Sequence, residues 1–183
     1  MRAPTASSHD SGLDEMVRFG TIADVDLSTG HCTVDTGDVQ TQAIRWQEVR
    51  AGDTRTWSPP TVGEQVILLC PGGQIEGAIA LRGVHQDKYP PAGSSLRELI
   101  TFKDGAEIAY DPEAHVLDAK LPGGGTVNIV STGGVTIDAS DGGVHIKGDV
   151  TVEGDVTADG VSLKQHTHEQ VQPGDGFSGK PVQ

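Results

Sequence analysis

The sequence predicts an all-β protein of two unlike parts, a small closed barrel followed by a fibre that a single chain cannot complete. Three observations carry this reading. Aromatic residues are 4% of the chain beside 25 glycines and 10 prolines. Since Phe, Tyr and Trp normally supply much of the buried area, a thick single-chain core is excluded and turns must be many. Five short β-rich runs crowd into the first half, each bounded by Gly, Asp or Pro signals. From Leu99 onward the runs become a near-repeat of alternating apolar and polar residues with glycine corners.

The barrel is read over residues 19–89. Its runs are FGTIADVDL from Phe19, HCTVDT from His31, VQTQAIRW from Val39, VGEQVILLC from Val62 and IEGAIALRGV from Ile75. Residues 1–18 form an N-terminal arm. Residues 90–97, opening on Pro90-Pro91-Ala92-Gly93-Ser94-Ser95, form a linker, because consecutive prolines cannot donate to a sheet ladder. Cys32 ends a glycine turn and Cys70 ends an apolar run. Both positions suit a small hydrophobe, so buried free thiols are expected rather than a disulfide.

Residues 98–163 are read as a shaft, with the runs LITF, AEIAY, HVLDAKL, TVNIV, VTIDA, VHIK, VTVE, VTAD and VSL. The pairs Val127/Ile129, Val135/Ile137, Val144/Ile146 and Val150/Val152 turn one side of each strand toward a core. Strand starts at 127, 135, 144, 150 and 156 are spaced by 8, 9, 6 and 6, with GG, GD or DG at the corners. So short a period belongs to a solenoid or an intertwined fibre. One thin apolar stripe cannot offset the entropy of ordering the strands that carry it, so neighbours must complete both core and ladder. Three chains wound about one axis give every strand partners and leave no long open edge, which makes a homotrimer the expected state. A single-chain hexapeptide β-helix competes, but only the later repeats keep a six-residue period. Asp138, Asp141, Asp149 and Asp155 are read as turn residues and solvated faces.

Charge disfavours two classes of partner. Thirteen Lys and Arg against 26 Asp and Glu leave a formal charge of −13, which repels nucleic-acid phosphates and anionic lipid headgroups alike. The longest apolar run is the five residues Val66 to Cys70, far below the 18 or so that span a bilayer. The start, MRAPTASSHDSGLDE, lacks an apolar h-region, so synthesis and folding in the cytoplasm are expected.

Residues 164–183 end the chain with His166-Thr167-His168 and the tail EQVQPGDGFSGKPVQ. In an extended strand residues i and i+2 project to the same side, so both imidazoles point one way. Two ligands are too few for a stable site. Three chains meeting on an axis bring six imidazoles to one point, a set that suits six-coordinate iron or nickel and not tetrahedral zinc.

The order of small barrel, glycine-punctuated β-fibre and HTH before a Val-x-Pro-Gly and Ser-Gly-x-Pro tail resembles the phage baseplate assembly protein V family. Its members are the central membrane-piercing spikes of contractile phage tails and R-type pyocins. The resemblance runs from Met16-Val17-Arg18-Phe19-Gly20-Thr21-Ile22 to the C-terminus. It implies an OB-fold-type barrel that docks on a baseplate or tail hub protein, followed by an intertwined three-chain β-helix with a pointed, metal-bound apex. His166 and His168 match the HxH pair through which each subunit of the family holds an apical iron ion, one per trimer. Some members also bury calcium or chloride lower in the shaft, and no motif here fixes such positions. The implied function is structural and non-enzymatic: a spike that pierces the bacterial outer membrane on sheath contraction. Such a spike is assembled in the producing cell's cytoplasm and then carried at the tail tip of a virion or pyocin particle.

Two other classes leave weaker marks. A trimeric β-helical tail-spike enzyme degrading cell-surface polysaccharide needs two carboxylates flanking a sugar, and Glu107 with Asp111 is the nearest pair. There is no GxSxG, HExxH or phosphate-cradling glycine loop. Nucleic-acid binding by the barrel would use Arg45, Trp46, Arg50, Arg55 and Trp57. Docking on a protein explains that cluster equally well, since Trp and Arg are enriched at interface hot spots.

Overall fold

A computed structural model describes residues 15–169 and Gly174. The arm before residue 15 and the tail motifs after Glu169, Gly174 apart, lie outside the described residues. The chain divides into two compact units, one ending at Val127 and the other beginning at Asn128.

The first unit opens with a closed barrel of five strands, β1 (Val17–Asp26), β2 (His31–Asp35), β3 (Ile44–Trp46), β4 (Gln65–Leu69) and β5 (Ile79–Leu81), in the order β1-β2-β3-β5-β4. Closure depends on the length of β1. Its first half, Val17–Thr21, pairs with β4 and its second half, Thr21–Asp26, with β2. Between Ile22 and Asp24 the register shifts, with Ala23 as the extra residue. This bulge changes the phase of the alternation, so that Ile22 and then Val25, rather than Asp24, face the core. The core consists of Ile22, Cys32, Val34, Ile44, Trp46, Val66, Leu68, Cys70, Ala78 and Ala80. Both cysteines are buried free thiols, and burial pushes the Cys32 thiol up to about 11, which keeps it protonated and inert.

Two of the predicted barrel runs are shorter than their patterns. In the run from Val39 only Ile44–Trp46 forms a strand. Thr41 turns inward instead, its N–H donating to the Val34 carbonyl at 2.8 Å and its Oγ1 accepting the Val34 N–H at 2.9 Å. A hydroxyl thus supplies the partner that a continuous strand would have given. In the last run, Ile75–Gly77 is a 3-10 turn and only Ile79–Leu81 joins the barrel.

The same unit holds a three-stranded antiparallel sheet, β6 (Glu98–Thr101), β7 (Glu107–Asp111) and β8 (Val116–Lys120). The sequence places these three runs with the shaft. They form hairpins within one chain because both connections are good turns: Gly105 takes φ +87 beside Asp104, and the Asp111 carboxylate accepts the N–H groups of Glu113 and Ala114.

Among the described residues of the second unit the ladder is one short hairpin, β9 (Thr157–Ala158) with β10 (Val161–Ser162). Its turn residues Asp159 and Gly160 have φ of +48 and +81, the paired left-handed conformations of a type I′ turn that an Asp-Gly dipeptide favours.

Gly20 shows how closely the barrel strands approach. A Cβ there would lie 2.5 Å from Val34 Cγ1 and 2.9 Å from the Asp35 carbonyl oxygen. Gly20→Ala should therefore destabilise the barrel by about 1–3 kcal/mol, the usual range for overpacking. Denaturant unfolding followed at the tryptophans measures this, and an unchanged midpoint would show that the wall yields without cost.

Candidate functional site

Among the described residues, the predicted shaft strands between Thr126 and Glu153 form no ladder. Among the described residues, the backbone-to-backbone hydrogen bonds of this segment are two turn bonds, from Gly142 and Gly143 to the Ala139 carbonyl. Its apolar residues are equally unpartnered. Val127, Ile129, Val135, Ile137, Val144, Ile146, Val150 and Val152 are 48–74% exposed, and Val130 is 93% exposed. A segment with its donors, acceptors and apolar stripe all open is an incomplete structure, because neither group is stable when left without a partner.

The histidine pair follows β10. The chain does not run on extended from the last strand; it turns over Leu163–Gln165, and the His166 N–H donates back to the Ser162 carbonyl at 3.1 Å. The two rings still meet edge to face, with centroids 5.0 Å apart and planes at 84°. His166 Nδ1 lies 3.0 Å from the Ser162 carbonyl oxygen and 3.1 Å from that of Leu163. Carbonyl oxygens can only accept, so Nδ1 carries the proton and Nε2 keeps its lone pair for a metal. Among the described residues no three His, Cys, Asp or Glu side chains gather into a site within one chain. Among the described residues, no third side chain of these types joins His166 and His168.

The local fold that carries His166 is organised by Asp155. Its carboxylate accepts the N–H groups of Val156 at 2.9 Å and Lys164 at 3.0 Å and the Ser162 hydroxyl at 2.5 Å. The residue read as a turn former is thus the clasp of the hairpin. Those bonds, the Ser162 hydroxyl foremost, hold its carboxyl below the ordinary value of 3.8.

On the barrel, the cation and indole cluster is divided. Trp46 is buried and packs against Trp57, which is exposed, with ring centroids 5.3 Å apart and planes tilted at 55°. The Trp46 indole N–H donates to Glu48 Oε1, which also accepts the Ser58 N–H, while the Thr56 hydroxyl donates to Oε2. Burial pushes the Glu48 carboxyl up, but these bonds and Arg82 outweigh it and leave it lowered. The cluster is a clasp for the loop 47–58 with one indole already engaged, a poor stacking platform for bases. Sequence reading missed a different feature. Cross-strand pairs Val17–Leu69–Ile79 and Phe19–Ile67–Leu81 form two adjacent apolar rows on the outer wall of β1, β4 and β5. Phe19 is 60% exposed. The alternation in each strand carries the signal, because Ile67 and Leu69 lie out of phase with the core residues Val66 and Leu68.

The carboxylate pair weighed for sugar cleavage is engaged elsewhere. Glu107 bonds Arg97 at 2.6 Å, and Asp111 caps the β7–β8 turn. They sit four residues apart on one strand, about 13 Å at ~3.3 Å per residue, wider than the roughly 5–9.5 Å of glycosidase pairs.

Residues 18–85 match the Type VI secretion system/phage-baseplate injector OB domain, and residues 98–172 match the beta helical trimerization domain of Gp138. The chain is also 40% identical over 125 residues to the spike protein of Escherichia phage P2, covering 68% of this chain and 58% of that protein. The chain belongs to the phage baseplate spike family. Within the spike, the OB match coincides with the five-stranded barrel. The second match contains β6–β8, the unladdered segment and both histidines.

The Asp155 clasp gives the spike a pH-sensitive end. A carboxyl held below its ordinary value stabilises the folded form fully above that value, and the contribution is lost as pH falls through the lowered one. The protection of the Lys164 and Val156 amides, taken relative to the unfolded exchange rate at each pH, should therefore be full at pH 5 and fall as pH drops below 3.8, the ordinary value. Asp155→Asn should remove the pH step, and a step that persists in this variant would assign it to another group.

Proposed function

We propose that the chain is one subunit of a homotrimeric, non-enzymatic central spike at the tip of a contractile tail, virion or pyocin particle, which pierces a bacterial outer membrane when the sheath contracts. The observation that carries the reading is the segment from Thr126 to Glu153, whose backbone and apolar stripe are both left open in one chain. It lies inside the stretch that matches a trimerization domain. Three such segments wound together satisfy each other's ladders and leave no strand edge free to peel. A narrow shaft of closed ladders resists bending and concentrates the force of contraction on a small area. The similarity to a phage P2 spike protein supports the same place in the particle.

In this reading the barrel docks on the tail hub through its outer apolar rows, where Phe19 and Ile67 offer contact area without charge. Assembly occurs in the producing cell, before the spike leaves as part of the particle. Particles assembled without the chain should contract on cells yet leave them intact, and particles that still kill or infect without it would overturn the reading. In the same assay Phe19→Asp should leave a trimer of three times 19.1 kDa that no longer joins the particle.

His166 and His168 of three chains would hold an iron ion at the tip. The donor chemistry fits, since His166 presents Nε2 while its Nδ1 is fixed on backbone carbonyls. When bound, the ion would crosslink three chains where few apolar side chains remain. Chelator-washed spike should retain one iron per three chains on elemental analysis. The double variant His166→Ala/His168→Ala should lose it and stay trimeric, while a metal-free wild-type trimer would sink the assignment. Nothing in the donor pattern marks a calcium or chloride position in the shaft.

A further inference from the structure

Strand β1 outruns β2, and a short stretch of its edge is left over. The bonds near its two ends fix which way its backbone points. The Cys70 N–H donates to the Met16 carbonyl at 2.8 Å and the Ile22 N–H to the Glu64 carbonyl at 2.9 Å. The even-numbered residues between them therefore bond to β4, in the register Arg18–Leu68 and Gly20–Val66. The odd-numbered residues turn their N–H and C=O groups the other way, toward β2. There Thr21 meets Asp35, the last residue of β2. Phe19 and Val17 come next along the edge, but the chain has already turned off at Thr36, whose N–H donates to the Val39 carbonyl at 3.0 Å. Among the described residues no backbone group meets the outward N–H and C=O of Val17 or Phe19.

The edge is also open in space. Val17 is 52% exposed and Phe19 60%. Two clefts flank Phe19, one of about 210 Å³ toward Thr36 and Asp38 and one of about 240 Å³ toward Asp35 and Gly37.

We propose that this edge takes an extended strand of the tail hub protein, which pairs by its backbone with Val17 and Phe19 and carries two large apolar residues, two apart, on its outer side. The inference rests on the reading that the barrel docks on a hub, and it assigns how that partner is recognised. Directly paired residues share a face, so an added strand widens the two outer apolar rows. The residue beside Phe19 joins Phe19–Ile67–Leu81, and the residue beside Val17 joins Val17–Leu69–Ile79. In strand addition the main-chain bonds supply affinity and alternate side chains select the partner. Two other occupants fit less well. Residues 1–14 of this chain hold only Met1 and Leu13 as large apolar residues, too far apart to supply the pair. Self-pairing of two identical edges needs a two-fold axis, which three chains about one axis do not have.

The test uses full-length spike in whole particles. A producing cell that lacks the spike gene is supplied with wild type or variant, and the spike content of its particles is read by quantitative mass spectrometry. Val17→Pro removes a donor that the barrel does not use, at an edge position where proline is tolerated. It should lower incorporation by about tenfold or more, because each of three subunits loses a bond to the hub. Val17→Ile keeps both the donor and the apolar surface and should be incorporated like wild type. Hydrogen exchange needs no variant and guards against misfolding. In free spike the Val17 and Phe19 amides should exchange near the unfolded rate while Arg18 and Gly20 stay protected. In the particle the first two should slow by about 100-fold or more. A Phe19 amide already protected in free spike would mean that this chain or another copy covers the edge. One that stays unprotected in the particle, or a Val17→Pro spike incorporated like wild type, would mean docking through side chains alone. Each of these results overturns the inference and leaves the spike reading standing, whereas particles that never contain the wild-type chain would overturn both.

Discussion

Every buried strand needs partners for its backbone donors and acceptors, and among the described residues the supply of partners within the chain stops near Val127 until the hairpin at residue 157. Before that point the sequence closes its own ladders. The ten-residue β1 serves two neighbours, and β6–β8 fold back by short turns. After it, glycines at 134, 143 and 148 take positive φ and turn the chain repeatedly, yet no strand meets another until the Asp-Gly hairpin at residue 157. The proposed trimer answers this shortage: open strands of one chain would find ladder partners in the neighbouring chains, so a single short sequence pattern would complete itself three times.

The same constraint explains the composition. A barrel this small is filled by ten side chains, among them two cysteines and two alanines, so few aromatics are needed. Trp46 enters the core only because Glu48 accepts its indole N–H. In the proposed trimer valine and isoleucine suit the shaft better than larger residues, since three chains would share a narrow axis and β-branched side chains suit extended backbone. Acidic residues then serve local ends. Asp26 holds the β1–β2 turn through Ser28 and Thr29 and is lowered to about 2 as a result, Asp111 holds β7–β8, and Asp155 holds the hairpin before the histidines.

Much of this was legible in the residues. The five barrel runs, the buried thiols and the glycine corners follow from alternation and turn chemistry, which are local. What escaped was non-local. Thr41 looks like a strand residue until Val34 claims both its backbone and its hydroxyl. LITF, AEIAY and HVLDAKL carry the same alternation as the later shaft runs, and only the quality of their turns sends them into a sheet within one chain. The outer rows at Phe19 and Ile67 were hidden because apolar residues fall on both phases of β1 and β4, and sequence alone does not say which phase faces the core. The division of the Arg and Trp cluster was equally invisible, since sequence proximity says nothing about which indole faces inward.

At the histidine end, one chain can prepare a ligand but not assemble a site. Asp155 fixes Ser162 through its hydroxyl, Ser162 and Leu163 offer their carbonyls to His166 Nδ1, and the ring is thereby left with Nε2 as its free lone pair. This chain of bonds forms within residues 155–166 and requires no neighbour. Among the described residues two imidazoles come together, so in the proposed site the remaining ligands would come from neighbouring chains. Tautomer and ring position are encoded locally, while coordination number would follow from the symmetry of the proposed assembly. A metal bound on these terms reports that three chains have met, and its presence tests the oligomer as much as the site.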